Sequence, residues 1–164
     1  STLFPYTTLF RSDSVYERFS LAIGEIERCR HKLTADEMEK YELSSPHAVY
    51  LNALYQYEEG ITAAKLGELI LRDKADVSRI IGQMEKKGLV RKEATGSNMY
   101  RARIKLTEEG KETALHVRER AALAVELAGA GLSEAERETF YYALERITAN
   151  LQTLSKEGLP KKQD

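Results

Sequence analysis

Between residues 88 and 107 the spacing of apolar residues changes from intervals of three and four, typical of helices, to the alternation typical of strands. This change limits the folds that the chain can adopt. Two short runs, 89–93 and 100–106, flank a segment at 94–98 whose composition is typical of a turn. In the second run apolar residues alternate with basic ones, which gives the predicted β-hairpin one basic face. Elsewhere apolar residues recur at intervals of three and four, as in amphipathic helices. The sequence therefore predicts a mainly α-helical fold with a small β-hairpin.

Two helices are predicted in the N-terminal part of the chain. The first covers residues 13–32, and a separate helical turn follows at 35–41. Ser45 and Pro46 mark the start of the second helix as its N-cap and its first residue, and this helix runs to about residue 57. The side chains that it is expected to bury, some of them in part, are Val49, Leu51, Leu54 and Tyr55.

The later helices begin at residues whose side chains can cap a helix N-terminus. Thr62 caps a third helix at 63–70, and Asp73 opens a fourth that ends before Gly88. Thr107 caps a fifth helix at 108–128, and Ser133 begins a capping box for the last helix. Helix, turn, helix and basic hairpin follow each other in the order of a winged helix-turn-helix. We expect four native segments: an N-terminal dimerisation helix with its linker at 13–43, the winged helix-turn-helix at 44–106, C-terminal dimerisation helices at 107–156 and a polar tail at 157–164.

The charge of the chain is distributed unevenly. The net charge is -1, but residues 62–105 carry eleven lysines and arginines against five acids, so this segment has a net charge of +6 and the rest has -7. Basic side chains concentrated in one segment can replace the counterions of a polyanion such as DNA. The alternative is a well-solvated charged surface without a nucleic-acid partner.

The fourth helix has the composition of a helix that reads the major groove of DNA. A helical wheel places Val77, Ile80, Ile81 and Met84 on one face. Small and hydrogen-bonding residues occupy the other face, where Arg79 can bind guanine and Gln83 can bind adenine. An ordinary amphipathic helix would also have a polar outer face. The complete set of predicted DNA-binding residues is Thr62, Lys74, Ala75, Asp76, Ser78, Arg79, Gln83, Lys86, Arg91, Arg101 and Arg103.

The hairpin adds arginines to this surface. Arg91, Arg101 and Arg103 put positive charge on a protrusion that can lie along or in the minor groove, where negative potential attracts arginine. The alternative is that these charges protect an edge strand from aggregation, and both can hold together.

The last helix carries an apolar seam at alternating spacings of four and three, as in a coiled coil. Such a seam needs a partner helix, and we expect a second copy of the chain to supply it. The predicted dimer interface comprises Phe19, Leu123, Leu127, Phe140, Leu144, Ile147, Leu151 and Leu154.

Four segments of this sequence resemble the MarR family of bacterial regulators: 61–69, 73–81, 85–90 and 104–111. The resemblance covers most of residues 13–154 and is most specific at 62–111. It implies a homodimer that is joined by the first, fifth and sixth helices and binds double-stranded DNA at a palindromic operator. In many members of the family a small-molecule effector or an oxidant releases the DNA, so the expected protein is a ligand-responsive repressor.

The sequence departs from the family pattern at the tip of the hairpin. Asn98-Met99-Tyr100 stand where the family usually has an Asp-x-Arg motif. Neither Asn98 nor Tyr100 is charged, so the ion pair of that motif is not expected here, although Arg101 can take over the arginine's contact with DNA.

Tyrosines and one cysteine are candidates for sensing an effector. Tyr41, Tyr50 and Tyr55 lie on or near the second helix and can line an effector pocket, although tyrosines of this kind are also common in cores and interfaces. Cys29 is the single cysteine, and its arginine neighbours can lower its pKa, but its polar surroundings favour an incidental thiol over an oxidant sensor. The three histidines are scattered, which favours surface or helix-cap roles over a metal site. No cofactor is predicted.

Other classes of protein are less consistent with the sequence. It contains no phosphate-binding glycine loop, no zinc-protease helix and no nucleophile paired with a base, so an enzyme is not expected. The apolar runs are too short to cross a membrane and the single cysteine suits a reducing compartment, which predicts a cytoplasmic protein. The remaining alternative is a winged helix that serves as a protein-protein interaction module.

Residues 1–12 differ in character from the rest of the chain. They resemble the in-frame translation of a short-read sequencing adapter, so we expect them not to belong to the native protein. The alternative is a genuine apolar N-terminal arm.

Overall fold

The computed structural model describes residues 14–94, 96–97 and 101–161. The adapter-like segment 1–12 and the departure at residues 98–100 lie outside the described residues. The described chain forms two compact units, one up to Ala121 and one from Ala122 onward.

The fold is mainly helical with one small antiparallel sheet, as the sequence predicts. The elements in chain order are α1 (Val15–Glu39), α2 (Ser45–Tyr55), β1 (Ile61–Thr62), α3 (Ala63–Ile70), α4 (Lys74–Lys86), β2 (Val90–Glu93), β3 (Arg103–Leu106), α5 (Glu108–Ala128) and α6 (Glu134–Glu157). The first unit contains all elements up to most of α5, and the second contains the end of α5 and α6.

The first helix is longer than predicted. It is continuous to Glu39, so the separate helical turn expected at 35–41 is wrong. No glycine or proline interrupts this stretch, and the Lys32–Asp36 ion pair of 2.7 Å spans the expected break. The helix ends before Glu42, whose backbone is left-handed at φ 56°. Charged residues at 35–40 therefore continue the helix.

The second helix begins one residue earlier than predicted and buries a different face. Ser44, and not Ser45, is its N-cap, and its last helical residue is Tyr55. Leu51 and Leu54 are buried as expected, but Val49 is 41% exposed. The buried side chains at positions 47, 50, 51 and 54 follow the helical period, and Val49 lies outside that stripe.

The sheet has three strands in the order β1-β3-β2. The predicted hairpin corresponds to β2 and β3, in which Val90 pairs with Leu106 and Glu93 with Arg103. The strand β1, in which Ile61 pairs with Ile104, was not predicted. A strand of two residues is too short to show an alternating pattern.

The core of the first unit fixes the position of α4. Val77, Ile80, Ile81 and Met84 are all buried, so the predicted apolar face is confirmed. The Asp73 carboxylate accepts the backbone N–H of Asp76 at 2.7 Å and caps the helix. Because the buried stripe is continuous along the helix, the opposite face of α4 is directed to solvent.

The helix-turn-helix connection depends on a close backbone approach. Thr62 caps α3 by accepting the N–H of Lys65, as predicted. Leu71 ends α3 in the left-handed conformation at φ 55°. Gly67 packs so closely against this turn that an added Cβ would lie 2.9 Å from the Arg72 carbonyl oxygen. Glycine at position 67 therefore allows α3 and α4 to meet in a short turn.

The last helix has a well-formed start and an exposed apolar seam. Ser133 and Glu136 form the predicted capping box, with the Ser133 N–H donating to the Glu136 carboxylate at 2.7 Å. None of the 24 residues described in α6 is buried. Across the described ranges, no helix is both long and apolar enough to span a membrane.

Candidate nucleic-acid interface

The outer face of α4 presents the residues that the sequence analysis assigned to DNA. Lys74, Ala75, Ser78, Arg79, Gln83 and Lys86 are exposed, and Asp76 is half-buried. Gly82 lies on the same face, and a Cβ added to it would meet no atom within 4 Å. A backbone without a side chain at this point permits close approach of a ligand to the helix.

Arg79 is held by a hydrogen-bonded chain that begins in the core. The Tyr50 hydroxyl of α2 donates to one Asp76 oxygen at 2.9 Å, and Arg79 donates to the other at 2.6 Å. Tyr50 itself is fully buried. Arg79 therefore projects from α4 with one of its nitrogens tied to Asp76, and its remaining donors can bind an acceptor pair.

The contacts among Tyr50, Asp76 and Arg79 shift the pKa values of Tyr50 and Asp76. The Tyr50 hydroxyl and the Arg79 guanidinium hold the pKa of the Asp76 carboxyl below its ordinary value. Burial and the adjacent carboxylate raise the pKa of the Tyr50 hydroxyl. Asp76 is therefore ionised at neutral pH, and its carboxylate orients Arg79. Its role as a direct DNA contact stays a prediction.

Gln83 is held by a second chain from the same helix. His47 is 6% exposed, and its Nε2 lies 2.9 Å from the Gln83 amide oxygen. The other ring nitrogen, Nδ1, accepts the backbone N–H of Ser44 at 3.1 Å. The helix-cap interpretation is thus correct for His47, but the contact with Gln83 was missed because it joins residues 36 positions apart. In the sequence, the signal of this contact is a histidine three residues after the N-cap serine.

The hairpin arginines are held by the protein to different degrees. Arg91 forms an ion pair with Glu93 at 2.8 Å, and Arg103 donates to the Gly60 carbonyl at 3.0 Å. Arg101 is exposed. Arg91 and Lys105 hold the pKa of the Glu93 carboxyl below its ordinary value. The strands therefore carry an acid among the predicted basic residues, which lowers the positive charge of this face.

A groove that the sequence analysis did not predict runs beside α4. It has a volume of about 570 Å³ and lies between α3, α4 and the sheet. Its walls are mostly apolar, and basic residues stand among them. The lining includes Gly67, Leu71, Arg72, Val77, Lys92 and Ile104. The groove makes the surface beside α4 concave.

The three tyrosines proposed for an effector pocket have different neighbours. Tyr50 is buried in the core, and Tyr41 packs edge-on against His116 with ring centroids 6.1 Å apart. Tyr55 lies under the Arg118 guanidinium and lines a cavity of about 260 Å³ together with Leu106 and Lys111. The pocket assignment stays a prediction, and the Tyr55 cavity is its most specific support.

The other candidate sensing residues lie elsewhere. Cys29 is half-buried in α1, with its sulfur 3.6 Å from a Glu25 carboxylate oxygen and 3.7 Å from Arg28. Among the residues that the structure describes, no group of three or more His, Cys, Asp or Glu side chains could hold a metal ion. Oxidant sensing by Cys29 stays a prediction.

The predicted dimer residues are accessible in the single chain. Phe19 of α1 is 38% exposed and Leu127 of α5 is 65% exposed. Along α6, Phe140, Ile147 and Leu151 are exposed, and Leu144 and Leu154 are half-buried. Large apolar side chains repeated along one helix leave a surface that a partner can cover.

Comparison with known proteins gives one consistent family. Residues 41–98 match the sequence profile described as the MarR family. The chain is similar to YybA of Bacillus subtilis (strain 168), an HTH-type transcriptional regulator, with 28% identity over 130 residues that cover 79% of this chain and 86% of the relative. Its structure is similar to that of the transcriptional regulator SlyA, with a TM-score of 0.69 and 27% identity over 81% of this chain and 93% of the other. It is also similar to a MarR family transcriptional regulator from Listeria monocytogenes complexed with 26mer DNA, with a TM-score of 0.67 and 24% identity over 87% and 96% of the two chains.

Proposed function

The chain belongs to the MarR family of transcriptional regulators, and from this premise we propose that it is a homodimer that binds a palindromic DNA operator and is released by a small molecule. In this proposal each copy inserts α4 into the major groove, and its hairpin contacts the adjacent backbone and minor groove. The regulator acts as a repressor because bound protein excludes other proteins from the operator.

The geometry of α4 carries the proposal. Its apolar face is fixed in the core, while Arg79 and Gln83 extend from the opposite face. Gln83 contacts the buried His47 of α2, and Arg79 is connected to the buried Tyr50 of α2 through Asp76. Preorganised side chains lose less conformational entropy when they bind base edges. The Listeria relative was crystallised with DNA, which supports the same use of this fold here.

The exposed seam of α6 supports the homodimer. A single winged helix reads one half-site, whereas two-fold symmetry places two reading helices about one helical turn of DNA apart. Contacts from both half-sites then add to the binding free energy. The accessible apolar residues of α6 supply a surface for a second copy, and α1 and α5 each carry further accessible apolar residues.

The cavity beside Tyr55 supports a small-molecule effector. Its lining residues are Leu54, Tyr55, Tyr57, Glu58, Leu106 and Lys111. Aromatic and aliphatic walls with one ammonium and one carboxylate group suit a small, mostly apolar molecule that carries a polar group. Leu106 belongs to the wing strand β3 and Leu54 to α2, so a ligand here would contact elements that position the reading head.

The Arg79→Ala variant tests the proposed DNA interface. We expect specific operator binding to weaken by about 1–3 kcal/mol, because one bidentate base contact is lost. Folding should be unaffected, since Arg79 is exposed. Fluorescence anisotropy measures the affinity for a duplex that wild type selects from a randomised library and the affinity for a scrambled duplex. The matched control is Arg30→Ala, which removes an exposed arginine of α1 that is also paired with an acid.

The alternative function, a protein-protein module, predicts a different result. A scaffold would prefer no DNA sequence. Its weak affinity for DNA would be the same in wild type and in Arg79→Ala. A DNA-binding regulator should instead lose affinity steeply with salt, because its lysines and arginines release counterions. Unchanged binding by the variant would show that α4 is not the reading helix.

A further inference from the structure

His47 occupies a position that its capping role does not fully explain. It lies in the first turn of α2, is almost completely buried, and points with Nε2 at Gln83 on the outer face of α4. A cap alone needs only the contact between Nδ1 and the Ser44 N–H. The second contact connects a buried side chain to a residue that faces the solvent.

The two contacts determine which ring nitrogen carries the proton. Nδ1 lies 3.1 Å from the Ser44 backbone N and 2.9 Å from the Ser44 hydroxyl oxygen. The N–H can only donate, whereas the hydroxyl can donate or accept, so both groups are satisfied when Nδ1 accepts and carries no hydrogen. In the neutral ring the hydrogen is then on Nε2, which donates to the Gln83 amide oxygen at 2.9 Å. The Ser44 backbone thus fixes the tautomer, and the tautomer fixes the contact with Gln83.

The orientation of Gln83 follows from that contact. Its amide oxygen faces His47 in the protein interior, so its NH2 group is the part of the amide directed outward. A bidentate pair with adenine requires the amide to present both an acceptor and a donor to the base. With the oxygen engaged, Gln83 presents a donor.

We propose that His47 is a specificity-determining positioning residue, which turns the Gln83 amide so that it selects a base with an oxygen acceptor in the major groove. Guanine presents two adjacent acceptors in the major groove, O6 and N7, and thymine presents O4. Adenine has only N7 beside its amino donor, and cytosine presents an amino donor. This inference rests on the proposed function, and it replaces the adenine contact that the sequence suggested for Gln83.

The test is selection of bound duplexes from a library with a randomised central region. Wild type should select guanine or thymine at one position in each half-site, and Gln83→Ala should lose that preference by roughly 5- to 150-fold, the equivalent of one good base contact. His47→Asn is the informative variant, because its side-chain oxygen can still accept the Ser44 N–H but cannot reach Gln83. It should lose the same preference or shift it to adenine, since the released amide can turn.

Controls separate positioning from folding. His31→Ala removes an exposed histidine of α1 and should leave every preference unchanged. The double variant His47→Asn/Gln83→Ala should lose no more selectivity than Gln83→Ala alone, because His47 acts through Gln83. The position read by Arg79 should keep its preference in both His47→Asn and the double variant.

The outcomes distinguish the two proposals. If wild type selects no sequence, the DNA-binding function itself is wrong. If wild type and Arg79→Ala behave as proposed but His47→Asn keeps the preference at the Gln83 position, the positioning role is wrong. An equal loss at all positions, with a lower melting temperature, would show that His47 only stabilises the fold and would also overturn the inference.

Discussion

Asp76 shows how one residue on the reading helix can serve its neighbours. One of its oxygens accepts a hydrogen bond from the buried Tyr50 and the other from the exposed Arg79. The carboxylate therefore connects Arg79 on the outer face to a side chain that is fixed in the core. The helical wheel correctly placed Arg79 outside, because exposure follows from the period alone. It could not identify the partner of Asp76, since that depends on how α2 packs against α4.

The Tyr50→Phe variant tests this link. The ring still fills the core, but Asp76 loses a donor, and we expect the pKa of its carboxyl to rise toward the ordinary value near 4. A carboxyl whose pKa is depressed in the folded state stabilises the fold above its ordinary pKa, and this contribution disappears as the pH falls through the folded value. The difference in the free energy of unfolding between wild type and the variant should therefore be larger at neutral pH than below pH about 4.

Carboxyl titration by NMR and urea unfolding at several pH values measure these effects. Tyr142→Phe is the matched control, because it removes an exposed hydroxyl that also contacts an arginine, Arg146. Affinity for the selected duplex should fall in Tyr50→Phe and not in the control. A stability difference that is the same at pH 3 and pH 7 would contradict the assignment.

At the scale of elements, the boundaries that depend on local chemistry were predictable. Thr62, Asp73 and Ser133 cap their helices as expected, because each side chain bonds to a backbone N–H within its own first turn. The predictions were wrong for features that depend on contacts between residues far apart in the sequence. The strand β1 exists because Ile61 meets Ile104, and Val49 is exposed because α2 turns His47 and Tyr50 to the core.

Two glycines of neighbouring elements should respond in opposite ways to alanine. Gly82 is inside α4 with open space around it, so Gly82→Ala should stabilise the fold by about 0.5–1 kcal/mol through the helix propensity of alanine. The added methyl stands on the reading face, and we expect weaker binding to the selected duplex. Increased stability with decreased affinity would separate the surface role of Gly82 from a structural one.

Gly110→Ala is the contrasting variant. A Cβ at this position in the first turn of α5 would overlap the Leu89 carbonyl oxygen, which belongs to the segment leading into the wing. The backbone would have to shift, and we expect a loss of about 1–3 kcal/mol in the free energy of unfolding. Urea unfolding of both variants measures the change in the free energy of unfolding, which should be an increase for Gly82→Ala and a decrease for Gly110→Ala. If Gly82→Ala binds DNA like wild type, α4 does not approach its ligand closely at that point.

At the scale of the whole molecule, the uneven charge and the exposed seam assign different tasks to different parts of the chain. The basic segment 62–105 contains α4 and the hairpin of β2 and β3, whereas the acidic remainder includes α6. This charge distribution favours a polyanion at the basic segment over the acidic remainder, as the proposed DNA contacts require. The heptad spacing predicted the seam from sequence alone, because it needs only the helical period. Which copy or helix covers it depends on assembly, so the interface stays a prediction.

Replacing Leu144 and Leu151 with aspartate tests whether assembly and DNA binding are coupled. Both residues lie on the seam of α6, and burying two carboxylates against a partner helix would cost several kcal/mol. We expect the double variant to sediment as a monomer and to lose binding to the selected duplex, although residues 62–105 are unchanged. The matched control, Asn150→Asp with Gln152→Asp, adds the same charge to exposed polar positions of that helix and should remain dimeric. If the double variant sediments as a dimer and binds normally, the interface lies on another surface. If it is monomeric but binds with wild-type affinity, the two reading heads do not cooperate.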